Sequence, residues 1–151
     1  MENIYDALRE SHERQRGLCR KILRLKGSVP EKQQAFKELW VELEAHAASE
    51  ERFLYVPILM IDAGLSISRH ALSEHHEIEE LCDEVKQSDP KSAVWRKKTK
   101  ELSEKVHHHL KEEETKFFQV SGKILSETQK KRLAVQYQAN YKKMKKKFGR
   151  D

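Results

Sequence analysis

The 151-residue chain, with 36% charged and 37% apolar residues, is long enough for one domain with a single core. No run approaches the roughly 18 apolar residues that cross a bilayer, and the N-terminus has no basic segment followed by an apolar one, so neither a membrane span nor a secretory signal is expected. Two cysteines within helical patterns predict small buried thiols rather than a disulfide framework, and favour a cytoplasmic location.

The net charge of +5 is unevenly distributed along the chain. From Gln129 onward there are nine Lys or Arg residues and one Asp, whereas the first 128 residues carry 21 basic and 24 acidic residues, a net of −3. The run from Lys142 to Lys147 has no recognised nucleic-acid-binding module and no interleaved aromatic residues. We therefore interpret it as a solvated helix end, and expect neither nucleic acid nor a membrane as a partner.

The first predicted helix runs from about Glu2 to Lys26. Alternating spacings of three and four residues place one inward stripe on it. This stripe contains Tyr5, Leu8, His12, Gln15, Cys19 and Ile22. Gly27 is expected to end the helix, and Ser28 with Glu31 has the pattern of a capping box that opens the second helix.

The second and third helices are predicted on either side of Pro57, which is expected to kink or interrupt the chain. The stripe of the second helix contains Phe36, Leu39, Leu43, His46, Glu50 and Phe53. Gly64 is expected to end this region, and the third helix to begin near Ser66 or Ser68. The third stripe contains Leu72, His75, Ile78, Cys82 and Val85.

Ser88-Asp89-Pro90 is the clearest break in the chain and predicts a fourth helix with Asp89 as its N-cap. The fourth stripe contains Leu102, Val106, His109, Glu113, Phe117 and Val120. A second capping box, Ser126 to Gln129, opens a short fifth helix. Because the connections are short, consecutive helices should be antiparallel. We predict an all-α, up-down-up-down four-helix bundle over residues 1–125, and a fifth helix with a basic tail over 126–151.

The pattern HxxxE occurs on two of these stripes, at His46 with Glu50 and at His109 with Glu113. Residues four apart share a helix face, so each pair directs an imidazole and a carboxylate the same way. The two copies are 63 residues apart, and the same offset relates His12 to His75. Two tandem helical hairpins related by a pseudo-two-fold axis are the simplest interpretation.

Four imidazoles and two carboxylates in one buried layer require compensating charge. Imidazole suits first-row divalent metals, and a carboxylate can bridge two of them. Six ligands exceed what one tetrahedral zinc needs and indicate a dinuclear site. The predicted metal ligands are His12, His46, Glu50, His75, His109 and Glu113.

Neighbouring histidines leave one register open. A repeat offset of 64 would favour His76 over His75, but the stripe of His75 contains Ile78 and matches the Leu-Cys pair of the first hairpin. His108 with Glu112 has the pattern of an exposed pair. His70 is expected at the surface.

These residues also carry a family resemblance. The order H…HxxxE…H…HxxxE on four helices, with aromatic residues after the first copy, resembles the hemerythrin-like HHE cation-binding family over about residues 4–125. The resemblance implies a bundle that holds two non-heme iron ions joined by an oxo or hydroxo bridge. The implied terminal ligands are His12, His46, His75 and His109, and the implied bridges are Glu50 and Glu113.

The chain departs from the oxygen-carrying hemerythrins at two points. Glu79 stands where those proteins have a second histidine one turn after the helix 3 ligand, and the last carboxylate follows HxxxE spacing rather than HxxxxD. The departure favours the broader bacterial-type HHE branch. Glu79 is either a seventh ligand or a surface charge, and could instead pair with its repeat mate Arg16.

The leading functional expectation is a di-iron protein that binds oxygen, nitric oxide or iron itself for sensing, storage or delivery. Two carboxylates stabilise high-valent iron less than the four of ferritin-like oxidases, which favours small-molecule binding over oxidation of strong C–H bonds. The alternative is a di-iron enzyme that acts on nitric oxide or peroxide, or donates iron for iron–sulfur repair. A partner-binding bundle with a structural metal is a third possibility.

Overall fold

The computed structural model describes residues 2–150. They form an up-down-up-down four-helix bundle with a further C-terminal helix, which confirms the predicted all-α fold. Seven α-helices and two π-helical turns follow one another along the chain. They are α1 (Ile4–Arg24), α2 (Val29–Glu50), the first π turn (Glu51–Tyr55), α3 (Val56–Leu59), α4 (Asp62–Gln87), α5 (Ala93–Glu112), the second π turn (Glu113–Phe117), α6 (Phe118–Ile124) and α7 (Glu127–Phe148).

Side-chain caps fix most of the helix starts. Ser126 forms a reciprocal capping box with Gln129 at the start of α7, as predicted. At the start of α2 the predicted capping box is only half present, because the Ser28 side chain accepts from the Glu31 N–H and Glu31 makes no return contact. A second complete box, Asn3 with Asp6, opens α1 and was not predicted. Each cap satisfies backbone N–H groups that have no partner within the helix.

Two predicted helix starts are wrong. α4 begins at Asp62, before the expected serines. α5 begins at Ala93 with Ser92 as its N-cap, because Asp89 forms a tight turn instead: its carboxylate accepts from the Lys91 N–H at 2.9 Å and its carbonyl from the Ser92 N–H at 2.8 Å.

The first π turn begins directly after Glu50, and the second begins at Glu113, the glutamate of the other HxxxE pair. In the first, the Val56 N–H donates to the Glu51 carbonyl, and in the second the Phe118 N–H donates to the Glu113 carbonyl. Pro57 was expected to kink the first segment, yet α3 continues through it. Proline does not cause these turns, since the second copy has Val120 at the equivalent position.

A π turn inserts one residue and so moves the inward stripe by one position. Without it, the stripe after Glu50 would continue through Phe53 and Pro57. Instead Leu54, Tyr55 and Ile58 are fully buried. The π turn therefore brings Tyr55 into the core.

Helix α7 packs against α1 and α2. Its 22 residues include the lysine-rich run, so it is longer than the short helix expected. Four of its side chains are buried in the bundle: Leu133, Ala134, Tyr137 and Tyr141. Within residues 2–150, no helix is both long enough and apolar enough to cross a membrane.

Candidate metal centre

The structure brings all six predicted ligands into one buried layer between two apolar clusters. His12 lies on α1, His46 and Glu50 on α2, His75 on α4, His109 on α5, and Glu113 at the start of the second π turn. Their donor atoms form two groups, each within 4.8 Å. One contains His12 and His46, the other His75 and His109, and both contain Glu50 and Glu113. Two cation positions would therefore share both carboxylates.

The distances within the groups suit ligands of one ion. His12 Nε2 lies 3.1 Å from Glu113 Oε1, and Glu50 Oε1 lies 3.2 Å from Nε2 of both His46 and His75. His109 Nε2 is 3.6 Å from Glu113 Oε2. Ligands at right angles on an ion with bonds of about 2.1 Å lie about 3.0 Å apart. The arrangement therefore fits first-row divalent cations.

Several inward donor atoms have no hydrogen-bond partner. Among the described residues these buried atoms include Nε2 of His12, His46 and His109, both carboxylate oxygens of Glu50, and Oε1 of Glu113. An unpaired buried polar atom is costly. So many unpaired donor atoms converging at one place fit a cation that all of them would contact.

Each histidine is oriented by a partner on its outward nitrogen, Nδ1. His12 Nδ1 lies 2.7 Å from Glu114, His75 Nδ1 lies 2.8 Å from Glu51, His109 Nδ1 lies 2.9 Å from Glu74, and His46 Nδ1 lies 2.9 Å from the Tyr137 hydroxyl. Such partners fix the tautomer and direct Nε2 to a metal. All four imidazoles therefore present Nε2 inward.

Two of these partners follow the repeat. Glu51 and Glu114 are 63 residues apart, each directly follows a shared glutamate, and each contacts a histidine of the other hairpin. Glu114 is held in turn by Arg16 at 2.8 Å. The pairing of Arg16 with Glu79 that the sequence left open is thus wrong. Glu79 is exposed and lies outside both ligand groups.

The other two partners break the symmetry. The repeat mate of Glu74 is Ser11, which donates to Glu42 at 2.6 Å instead of contacting a histidine. Tyr137 of α7 takes the corresponding place next to His46. Sequence reasoning missed Tyr137 because α7 lies outside the repeat.

Tyr55 is the second residue that sequence reasoning missed. Its hydroxyl donates to Glu113 Oε2 and lies 3.3 Å from His75 Nε2. Burial, with the nearby Glu113 and Glu50, holds the pKa of this phenol well above its ordinary value. The phenol is therefore protonated beside a shared carboxylate, and its repeat mate Phe118 offers no such group.

Protons provide the counter-charge of the metal-free layer. Burial lowers the pKa of His12, but the facing Glu113 and Glu114 outweigh it and raise the pKa to about 9. Glu50 and Glu51 likewise outweigh burial and raise the pKa of His75 to about 10. A bound cation would replace these protons, since imidazole binds metal in its neutral form.

Burial shows which of the two neighbouring histidines of α4, the predicted third helix, faces the layer. His75 is 9% exposed and faces the layer, whereas His76 is exposed and pairs with Glu80 at 2.7 Å. Cys19 and Cys82 are buried free thiols, as predicted. They lie in the apolar cluster below the layer.

A comparison with family models decides the family. The model described as "Hemerythrin HHE cation binding domain" matches residues 3–120. The chain belongs to the hemerythrin HHE cation-binding family.

Two proteins are similar to this HHE domain over nearly its whole length. It is 26% identical over 148 residues to a DNA nickase from Nostoc sp. strain PCC 7120. The match covers 97% of this chain and 41% of the relative, so the chain spans about two-fifths of that protein. A hemerythrin HHE cation-binding domain-containing protein from Mycobacterium kansasii, a homolog of Rv2633c, has a crystal structure that matches with a TM-score of 0.86 at 22% identity, over 97% of this chain and 90% of that chain. This second likeness shows the fold.

Two pockets reach the layer of the HHE domain. One, of about 200 Å³, is lined by His46, His75 and His109 together with Glu51 and Glu79. The other, of about 290 Å³, lies between α4 and α5 and reaches His109 and Glu113. Both pockets therefore offer room for a small ligand next to the buried layer.

Proposed function

We propose that this HHE domain holds two non-heme iron ions joined by an oxo or hydroxo bridge, and that it binds oxygen, nitric oxide or iron for sensing, storage or delivery. The observation that carries the proposal is the set of unpartnered donor atoms facing one another, with two carboxylates common to both ligand groups. Family membership supports cation binding. The choice of iron goes beyond cation binding and rests on the family resemblance, since affinity alone would favour other first-row metals.

The six proposed ligands would surround the ions with few negatively charged donors. His12, His46, His75 and His109 are neutral donors, so only two carboxylates contribute negative charge directly. Iron, when bound, would supply coordination positions and electrons for a diatomic ligand. The 200 Å³ pocket beside three of the histidines suits a ligand of that size.

Metal analysis tests the proposal. Protein purified without chelators should contain close to two irons per chain and show an oxo-to-iron absorption band that changes with oxygen or nitric oxide. One zinc per chain, or no metal, would contradict both the di-iron proposal and any di-iron enzyme, and would favour a structural metal.

A second function, turnover of peroxide or nitric oxide, is favoured by one observation, the Tyr55 phenol on Glu113. The buried phenol holds a proton within reach of the shared carboxylate, and reduction of peroxide or nitric oxide takes up protons together with electrons, which an external reductant would supply. Iron-loaded protein should then turn over one of these substrates, and Tyr55→Phe should slow it without loss of iron. Absence of turnover would leave binding as the function.

DNA nicking belongs to the Nostoc relative, and we do not propose it for this chain, which spans about two-fifths of that protein. The exposed lysines of α7 are Lys131, Lys142, Lys143, Lys146 and Lys147. We keep the expectation that these lysines form a solvated face. Nicking of a plasmid by the iron-loaded protein would contradict that expectation. A cytoplasmic location stays a prediction that suits two free thiols.

A further inference from the structure

A second set of histidines and glutamates, which we call the surface cluster, lies on α4 and α5 outside the buried layer, with its two histidines exposed and Glu74 buried beneath them. It contains His70 and Glu74 on α4, and His108 and Glu112 on α5. Each pair has HxxxE spacing, the same spacing as the buried pairs. Two HxxxE pairs on adjacent helices therefore face each other outside the buried layer as well.

The two pairs are connected across the helices. His70 Nε2 lies 2.6 Å from Glu112 Oε1 and 3.5 Å from Glu74 Oε1. His108 Nε2 lies 3.0 Å from Glu112 Oε2. One carboxylate thus stands between two imidazoles, and donor atoms of His70, Glu74 and Glu112 lie within 4.8 Å of one another.

The surface cluster also borders the 290 Å³ pocket. His70, Glu74 and Glu112 line this pocket near the surface, and Glu113 and His109 line it at depth. Glu74 joins the two levels, because its Oε1 also contacts Nδ1 of His109. A cation at the surface cluster would therefore stand at the opening of a passage to the buried carboxylate.

The other hairpin has no equivalent of this cluster. The repeat mates of His70, His108 and Glu112 are Ala7, Ala45 and Ser49, and all three are fully buried. Helix α7 packs over α1 and α2 on that side, where Asn140 donates to Ser49 at 2.9 Å. One face of the repeat is closed by α7, and the related face is open and carries the histidines.

We propose that His70, Glu74 and Glu112 form a third site for a divalent first-row cation, with His108 beside Glu112 as a further donor, and that cations reach the buried layer through it. Imidazole and carboxylate donors suit such a metal. The charge around the site is mixed, since Lys105 pairs with Glu74 at 3.4 Å and Lys116 lines the pocket. Binding therefore depends on the imidazole donors rather than on excess negative charge. The passage role rests on the proposed function; the binding site does not.

Zinc titration of iron-loaded protein tests the site. The iron content of chelator-washed protein is measured first, and zinc binding is then followed by calorimetry. Wild-type protein should bind one further equivalent of zinc, and the double variant His70→Ala/His108→Ala should lose it. Both side chains are more than half exposed, so the fold should persist, and circular dichroism checks it.

His76→Ala is the matched control. His76 forms an i,i+4 pair with Glu80 at 2.7 Å, but it belongs to none of the described metal-ligand groups. This variant should keep the further equivalent. Zinc binding that is absent in wild-type protein, or unchanged in the double variant, would overturn the third site.

The rate of iron uptake tests the passage. Metal-free protein mixed anaerobically with ferrous iron should fill the buried layer several-fold more slowly in the double variant than in wild type or His76→Ala. An equal rate would overturn the passage role. Failure of the di-iron proposal can be told apart from failure of the third site. The first appears as missing iron in wild-type protein, and the second as equal zinc binding by the double variant and His76→Ala.

Discussion

Glu50 and Glu113 are the residues on which both proposed cation positions would depend, because each belongs to both candidate ligand groups. Helical spacing and the repeat offset were sufficient to predict them together with the four histidines, since both signals are local or periodic in the sequence. The outward partners of the histidines were not predictable in the same way. Glu74 and Tyr137 reach a histidine only through packing between helices.

Replacing either shared glutamate should remove most of the metal. Glu50→Ala and Glu113→Ala each take one bridging ligand from both positions, so metal affinity should fall by more than the roughly 10- to 100-fold typical of an outer partner. His76→Ala should retain full metal content. Metal analysis of the three purified variants checks this, and loss of metal from His76→Ala with retention in His75→Ala would contradict the assigned register.

The π turns could not be predicted from the helical pattern of the two segments in which they lie. The inward stripe was followed correctly as far as Glu50 and Glu113, and then moved by one residue in each copy. No residue pattern announced this, and the proline in the first copy is absent from the second. As a result Tyr55 was missed although its segment had been assigned to a helix.

Helix α7 acts at the metal centre through Tyr137, whose hydroxyl contacts His46. Tyr137→Phe keeps the ring in the core but removes this contact. We expect metal affinity to fall by about 10- to 100-fold, as for other outer partners of metal-binding histidines. Competition with a chromophoric chelator measures it, and unchanged affinity would show that α7 covers the layer without orienting a ligand.

Glu42 fastens α7 to the bundle through a buried carboxylate. It accepts from Ser11 and Tyr141 at 2.6 Å and from Lys145 at 2.9 Å. Burial raises its pKa, but these donors outweigh burial and hold the pKa below its ordinary value. The resulting stability is present above the unfolded-state pKa of about 4.3 and is lost as pH falls through the lower folded-state value.

Glu42→Gln should therefore lower the free energy of unfolding near neutral pH by about 1–3 kcal/mol. The difference from wild type should shrink as pH falls below about 4. Glu38→Gln on the same helix is the control, because its exposed pair with Lys21 should contribute about 0–1 kcal/mol. Denaturant unfolding across pH measures both, and equal losses in the two variants would contradict the docking role.

At the scale of the whole molecule, two related hairpins enclose one layer of candidate metal ligands and differ on their outer faces. Caps, stripes and short connections predicted the bundle, because each is a local property of the sequence. The exact starts of α4 and α5 were missed, and at α5 the reason is that Asp89 caps a turn rather than a helix. The role of α7 was missed because nothing in its sequence repeats the hairpins.

The central claim is that two iron ions lie side by side between Glu50 and Glu113. Crystals of protein purified aerobically without chelators, measured on both sides of the iron absorption edge, test it most directly. The account predicts two anomalous peaks per chain, one among His12 and His46 and one among His75 and His109, with both glutamates contacting both peaks. A single peak, a zinc signal, or iron contacted by only one of the glutamates would contradict it.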